Sequence, residues 1–205
     1  MADQKLTFSV DCATIWDTYN NGNDTLDSPG WLSHTGNNGQ VVLYVNYILQ
    51  SDVQTHVQIA LGDDVSINAV NRSEQDNYKC AVVRFNAMNF NGNQLSLDTM
   101  NNDDLTPIDL PEFISLPATL PYLDYDPSTS QTGTGWVRNT IDYGNNPIGV
   151  MTTRNSIVKS TGLRVPSIKF TALNRGLMQY RVEIAVSYQG SAPRYYSFDP
   201  FLQIG

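Results

Sequence analysis

The segment LMQYRVEIAVSYQ, residues 177–189, puts Met178, Tyr180, Val182, Ile184, Val186 and Tyr188 on one side and Gln179, Arg181, Glu183, Ser187 and Gln189 on the other. That period of two is the signature of a β-strand with one face toward a core, and it is the clearest such pattern in the chain. A short link through Gly190, Ser191 and Pro193 joins it to RYYSFDPFLQIG, residues 194–205. There Tyr196, Phe198, Leu202 and Ile204 share one side. The link is of hairpin length, so the terminal segment is expected to close a sheet beside 177–189. Pro200 lacks a backbone donor, so the strand should bend there or lie at a sheet edge.

Working outward, further period-two runs appear. Leu6, Phe8 and Val10 alternate with Thr7 and Ser9 in residues 5–11, and strands are also read at 40–50, 56–61, 64–70 and 78–90, each bounded by Gly, Asn or Asp. The stretches SIVKST and RVPSIKFTAL add two more, and one helical turn fits residues 14–19. Eight or so strands with no helices between them predict an all-β fold: an antiparallel β-sandwich, jelly-roll or immunoglobulin-like. A single domain over 1–205 is expected. Residues 106–135 stand apart, with prolines at 107, 111, 117, 121 and 127 among apolar side chains such as Phe113, Ile114 and Leu120. Proline at that density excludes a helix or central strand, so an extended arm packed on a surface is expected.

Charge narrows the partners. Twelve Lys and Arg stand against twenty Asp and Glu, a net of -8. No basic stripe is present for a phosphate backbone, so nucleic acid and anionic membrane are not expected partners. The start MADQKLTFSVD has no apolar signal-peptide core, and the longest apolar run, VVLYVNYIL, is too short to cross a bilayer, which points to the cytoplasm. Cys12 and Cys80 lack CxxC spacing, so two reduced, buried thiols are expected rather than a disulfide framework or a zinc site.

Chemistry is harder to find. The two histidines, His34 and His56, accompany no nucleophile signature, and TGTGWVRN carries Arg138 where a dinucleotide loop needs its third glycine. Residues 17–28 place Gly22 at the turn position of a calcium loop, but Tyr19 and Ser28 occupy two ligand positions. The paired aspartates of LGDDVS and NNDDLT are expected to serve turns. No catalytic residue, metal or cofactor is therefore assigned, and the chain is not expected to be an enzyme. An alternative is a lectin-like module that stacks carbohydrate on aromatic side chains, for which Trp31 and Trp136 are the candidates.

Three stretches carry a resemblance: VDCATIWDTY at 10–19, GDDVSINAVNRSEQDNYKCAVVRF at 62–85 and YYSFDPFLQI at 195–204. In order and position they resemble the PixA/AidA inclusion-body protein family. The resemblance implies a cytoplasmic bacterial β-sandwich protein, made at high density or in stationary phase, that assembles with itself into crystalline inclusions in host-associated bacteria. It brings no catalytic residues with it. Cys12 departs from the expected turn, and the arm at 106–135 has no counterpart in the family pattern.

Overall fold

The computed structural model describes residues 3–18, 29–31, 43–45, 48–49, 57–93, 104–108, 137–143, 146–158, 163–189 and 191–205. The elements run β1 (Asp3–Val10), α1 (Cys12–Thr18), β2 (Gly30–Trp31), β3 (Leu43–Val45), β4 (Ile48–Leu49), β5 (Val57–Ile59), β6 (Asp64–Asn71) and β7 (Tyr78–Asn91). They continue with β8 (Thr106–Pro107), β9 (Val137–Tyr143), β10 (Asn146–Val158), β11 (Leu163–Ala172), β12 (Gly176–Tyr188), β13 (Arg194–Phe198) and β14 (Phe201–Ile204). Among the described residues the fold is all-β with one short helix.

Two sheets form. One has the order β4-β3-β1-β6-β11-β10-β9, and the other is built on β12. The second sheet explains the alternation at 177–189. β12 pairs with β7 along its whole length on one edge, and on the other with β13 through Val182–Val186 and then with β14 through Gly176–Gln179. Its apolar side is sealed, with Met178, Tyr180, Val182, Ile184 and Val186 all at 0% exposure. Its polar side is not free to water either, because Glu183, Ala185 and Ser187 are also buried. Gln179 and Arg181 on that side stay partly exposed, so its cover is partial.

The terminal segment is core. Tyr196, Phe198, Leu202 and Ile204 are buried as expected, and Tyr195 on the opposite side is buried too. Pro200 breaks the segment into β13 and β14, and its carbonyl accepts the Tyr180 N–H at 3.0 Å, so the ladder to β12 is bridged across the break. Neither piece is an edge, since β13 is flanked by β2 and β14 by β5. Proline is accommodated here by interruption rather than by an edge position.

Aromatic rings join the two sheets face to face. Phe8 of β1 meets Tyr180 at 6.4 Å and Phe198 at 5.4 Å, and Phe170 of β11 meets Phe85 of β7 at 6.3 Å between centroids. Phe85 in turn stacks on Tyr180 at 4.8 Å. Close approach fixes some backbone positions. A Cβ on Gly149, at the β10 bulge, would lie 2.2 Å from the Phe170 ring, and Gly176 opens β12 at φ +148 against the carbonyl of Asn91.

Three expectations are corrected. The ladders are not antiparallel throughout: β1 runs parallel to β6 over eight residue pairs, β13 to β2 and β14 to β5. Side-chain alternation reports which face is buried and carries no information on strand direction. The stretch 40–50 is not one strand, because β3 and β4 pair with each other, Val45 opposite Ile48. β9, absent from the sequence reading, is the edge strand beside β10. Of the arm at 106–135, only 106–108 lie within the described residues. There β8 pairs with Asn89 and Phe90, and Ile108 is buried with its N–H on the Met88 carbonyl at 3.0 Å.

Candidate functional site

The sequence-marked turns act as joints. Asp11 ends β1 and caps α1: its carboxylate accepts the Thr14 N–H at 3.0 Å and the Thr14 hydroxyl at 2.9 Å, while its carbonyl accepts the Ile15 N–H at 3.1 Å. An Asp cap satisfies amide donors that the first helical turn leaves open. α1 packs on β7 and β12, burying Cys12 and Ile15. Asp63 of the GDD turn is 5% exposed, and its carboxylate accepts from the Gln4 side chain and from the Ala60 N–H at 3.3 Å. Asp64 accepts from the Thr171 hydroxyl. Both aspartates thus serve hydrogen bonds of the fold, as turn acids commonly do.

Two polar groupings stand out among the described residues. The first lies at the α1 end. Trp16 packs edge-on to Tyr78 and tilted on Tyr188, and Tyr78 and Tyr188 lie 4.7 Å apart. The Arg194 guanidinium lies 4.2 Å from the centre of the Trp16 ring and donates to the Trp16 carbonyl at 3.1 Å. That arrangement occupies one face of the indole with a cation and makes Trp16 a cover for the end of the core. Cys12 at the start of α1 is buried and Cys80 in β7 is half-buried, and the neighbouring Cys80 thiol together with burial pushes the Cys12 thiol above its ordinary value.

The second grouping crosses the outward side of β12. Arg84 lies 3.2 Å from the Glu183 carboxylate, and Arg181 lies 3.2 Å from Asp199. Asn89 donates to Gln179 beside them. Burial raises Glu183 above the usual carboxylate value in spite of Arg84, and burial likewise raises Asp199 in spite of Arg181. Desolvation therefore outweighs pairing for both acids. These contacts lock β7, β12 and the β13–β14 segment together. Among the described residues no group of three or more His, Cys, Asp or Glu could hold a metal ion.

Neither of the carbohydrate candidates, Trp31 and Trp136, has a described side chain. Trp31 contributes its backbone to β2, opposite Ser197, while its side chain lies outside the described residues, as do Trp136, His34 and His56. The stretch 17–28, set aside as a calcium loop, is described only at Asp17 and Thr18, where Asp17 accepts from the Tyr78 hydroxyl at 3.5 Å. Sequence reasoning missed the two ion pairs. Arg84 and Glu183 are 99 residues apart, and only the β7–β12 register places them opposite. No helix among the described residues is long and apolar enough to cross a membrane.

The sequence matches no protein-family model and no curated protein. The structure does have a counterpart: the crystal structure of an inclusion body protein (PixA) from Burkholderia cenocepacia aligns with 100% of this chain and 98% of its own, at a TM-score of 0.50 and 8% identity. The likeness read from residues 10–19, 62–85 and 195–204 therefore has a full-length structural counterpart in a PixA protein. At that identity what is shared is the fold.

Proposed function

We propose that the chain is a non-enzymatic inclusion-body protein that assembles with itself into ordered particles in the bacterial cytoplasm. The observation that carries this reading is the alignment, end to end, with an inclusion body protein of the same β-rich fold. The described residues fit a scaffold role. Asp11, Asp63, Asp64 and Asp199, four of the seven acids of the resembling stretches, are engaged in a cap, a turn, a cross-strand hydrogen bond and an ion pair.

Composition supports the same reading. Charged residues make up only 16% of the chain, so lattice contacts would immobilise few long Lys, Arg and Glu side chains. Ordering such side chains costs about 0.5–1.5 kcal/mol each, so a surface of Asn, Ser, Thr and Asp lowers the entropic penalty of assembly. Expression of the chain alone in a bacterial host, followed by electron microscopy and diffraction of intact cells, tests the proposal. Ordered particles containing only this protein are the expected result. Dispersed monomer at high expression would overturn it.

A further inference from the structure

The outermost strands of the two sheets differ in length. β2, β4 and β8 have two residues each and β5 has three, whereas β9 has seven. β9 ends its sheet: β10 pairs with it over Val137–Tyr143, and among the described residues no strand takes its other edge. A long edge offers alternate N–H and C=O groups to any strand that can match them, so folds commonly shorten, bulge or block such edges with proline. β9 contains neither proline nor glycine, and the bulge in its ladder, between Pro147 and Gly149, falls in β10. β7 also has backbone beyond its two pairs with β8, but it is bulged twice, opposite Gln179–Tyr180 and Glu183–Ile184.

The sequence of β9, VRNTIDY, is complementary to its own reverse. When two copies pair antiparallel about a two-fold axis normal to the sheet, each keeps its core face on the same side, so residues of like parity meet. With the axis at Thr140, the register sets Thr140 opposite Thr140, Arg138 opposite Asp142, Asn139 opposite Ile141 and Val137 opposite Tyr143. Opposite charges, paired threonines and an aromatic beside a β-branched residue are all favourable cross-strand combinations. Moving the axis to Asn139 or Ile141 sets Arg138 or Asp142 opposite Thr140 and loses the charge match. Burial follows the same parity, since Ile141 is buried while Thr140 and Asp142 are exposed.

We propose that β9 is a homotypic docking edge, to which a second copy of this chain adds its own β9 antiparallel, joining the sheets that β9 ends into one. The inference rests on the self-assembly proposed above and names its first contact. A two-fold contact closes on itself, so this edge yields a dimer, and larger particles are built from dimers through other surfaces.

Full-length Thr140→Cys, treated with a mild oxidant, tests the edge directly. Residues opposite one another in an antiparallel pair have Cα atoms about 4.5–5.5 Å apart, within disulfide reach. The expected product is a covalent dimer in which the substituted β9 peptide is joined to itself, while Leu173→Cys, at a position 44% exposed outside β9, stays unlinked. Asp142→Arg sets like charges opposite one another twice in each dimer and should weaken dimerisation about tenfold in sedimentation equilibrium. Adding Arg138→Asp to it should restore the wild-type constant. Wild-type protein gives a reading without any variant: amide exchange in residues 137–143 should slow as concentration rises. Exchange independent of concentration would overturn the proposal. So would a Thr140→Cys protein that links no faster than Leu173→Cys, or links only to Cys12, Cys80 or another protein, and so would an Asp142→Arg dimer as tight as the wild type. The two readings part cleanly: ordered particles in cells without the β9 link sink the docking edge alone, whereas the link in protein that forms no particles upholds the edge and sinks particle assembly.

Discussion

Tyr180 shows how one residue can fit by shape and misfit by chemistry. Its ring is fully buried, stacked on Phe85 and edge-on to Phe8, yet its hydroxyl has no hydrogen-bond partner, and burial alone drives its ionisation far out of range. An unsatisfied buried hydroxyl costs roughly 1–3 kcal/mol, while the ring contacts survive its removal. Tyr180→Phe is therefore expected to leave the urea midpoint unchanged or raise it; a fall of more than about 1 kcal/mol would reveal a partner for the hydroxyl. Glu183 makes the complementary case. Its folded-state pKa lies above the ordinary carboxyl value of 4.5 because burial outweighs Arg84. The folded state then holds a proton that the unfolded state has released, so this group's stabilising contribution is present at low pH and is lost as pH rises from 4.5 through the raised value. Glu183→Gln should remove that decline. Urea titrations of both proteins at several pH values should show the variant gaining on the wild type as pH rises through this window; parallel curves would refute the assignment.

The closing hairpin is the element that decides cohesion. β13 and β14 together occupy the edge of β12 that β7 leaves open, so they connect β12 to β2 and β5. Ending the chain after Ser197 would remove Phe198, Leu202 and Ile204 from the core, about 5–9 kcal/mol of apolar burial at roughly 1.5–3 kcal/mol each, comparable to the whole stability of an ordinary domain. The truncated chain is expected to be insoluble or to lack a cooperative melting transition; a cooperative transition near the wild-type temperature would show that the segment is dispensable. At this scale the sequence was readable where apolar residues alternate without interruption, as in β1 and β12. β9 and β10 were less readable because their placed apolar side chains do not alternate regularly: Ile141 stands between Thr140 and Asp142, Ile148, Val150 and Met151 crowd the start of β10, and the β10 bulge at Pro147 and Gly149 breaks the period. Residues 40–50 misled for the opposite reason, an apolar run too uniform to reveal that β3 and β4 pair with each other.

At the scale of the molecule, the two layers were legible in the count of amphipathic strands, but their order was not. The parallel pairing of β1 with β6 and the seating of Phe8 against Tyr180 and Phe198 depend on contacts between distant parts of the chain. Of the candidate site, the Arg84–Glu183 contact was not legible, because it arises from tertiary register. Trp31 and Trp136 were singled out for being aromatic beside polar sequence, a pattern that does not fix where a side chain points. The β7–β12 ladder has a further consequence in time. Its Arg84 and Glu183 are 99 residues apart, and ribosomes add about 5–20 residues per second. Each nascent β7 therefore waits roughly 5–20 s for the strand that completes its pairing. During that interval, along a crowded polysome, neighbouring nascent chains present the same open edge to one another, so correct pairing becomes a race between elongation and encounter.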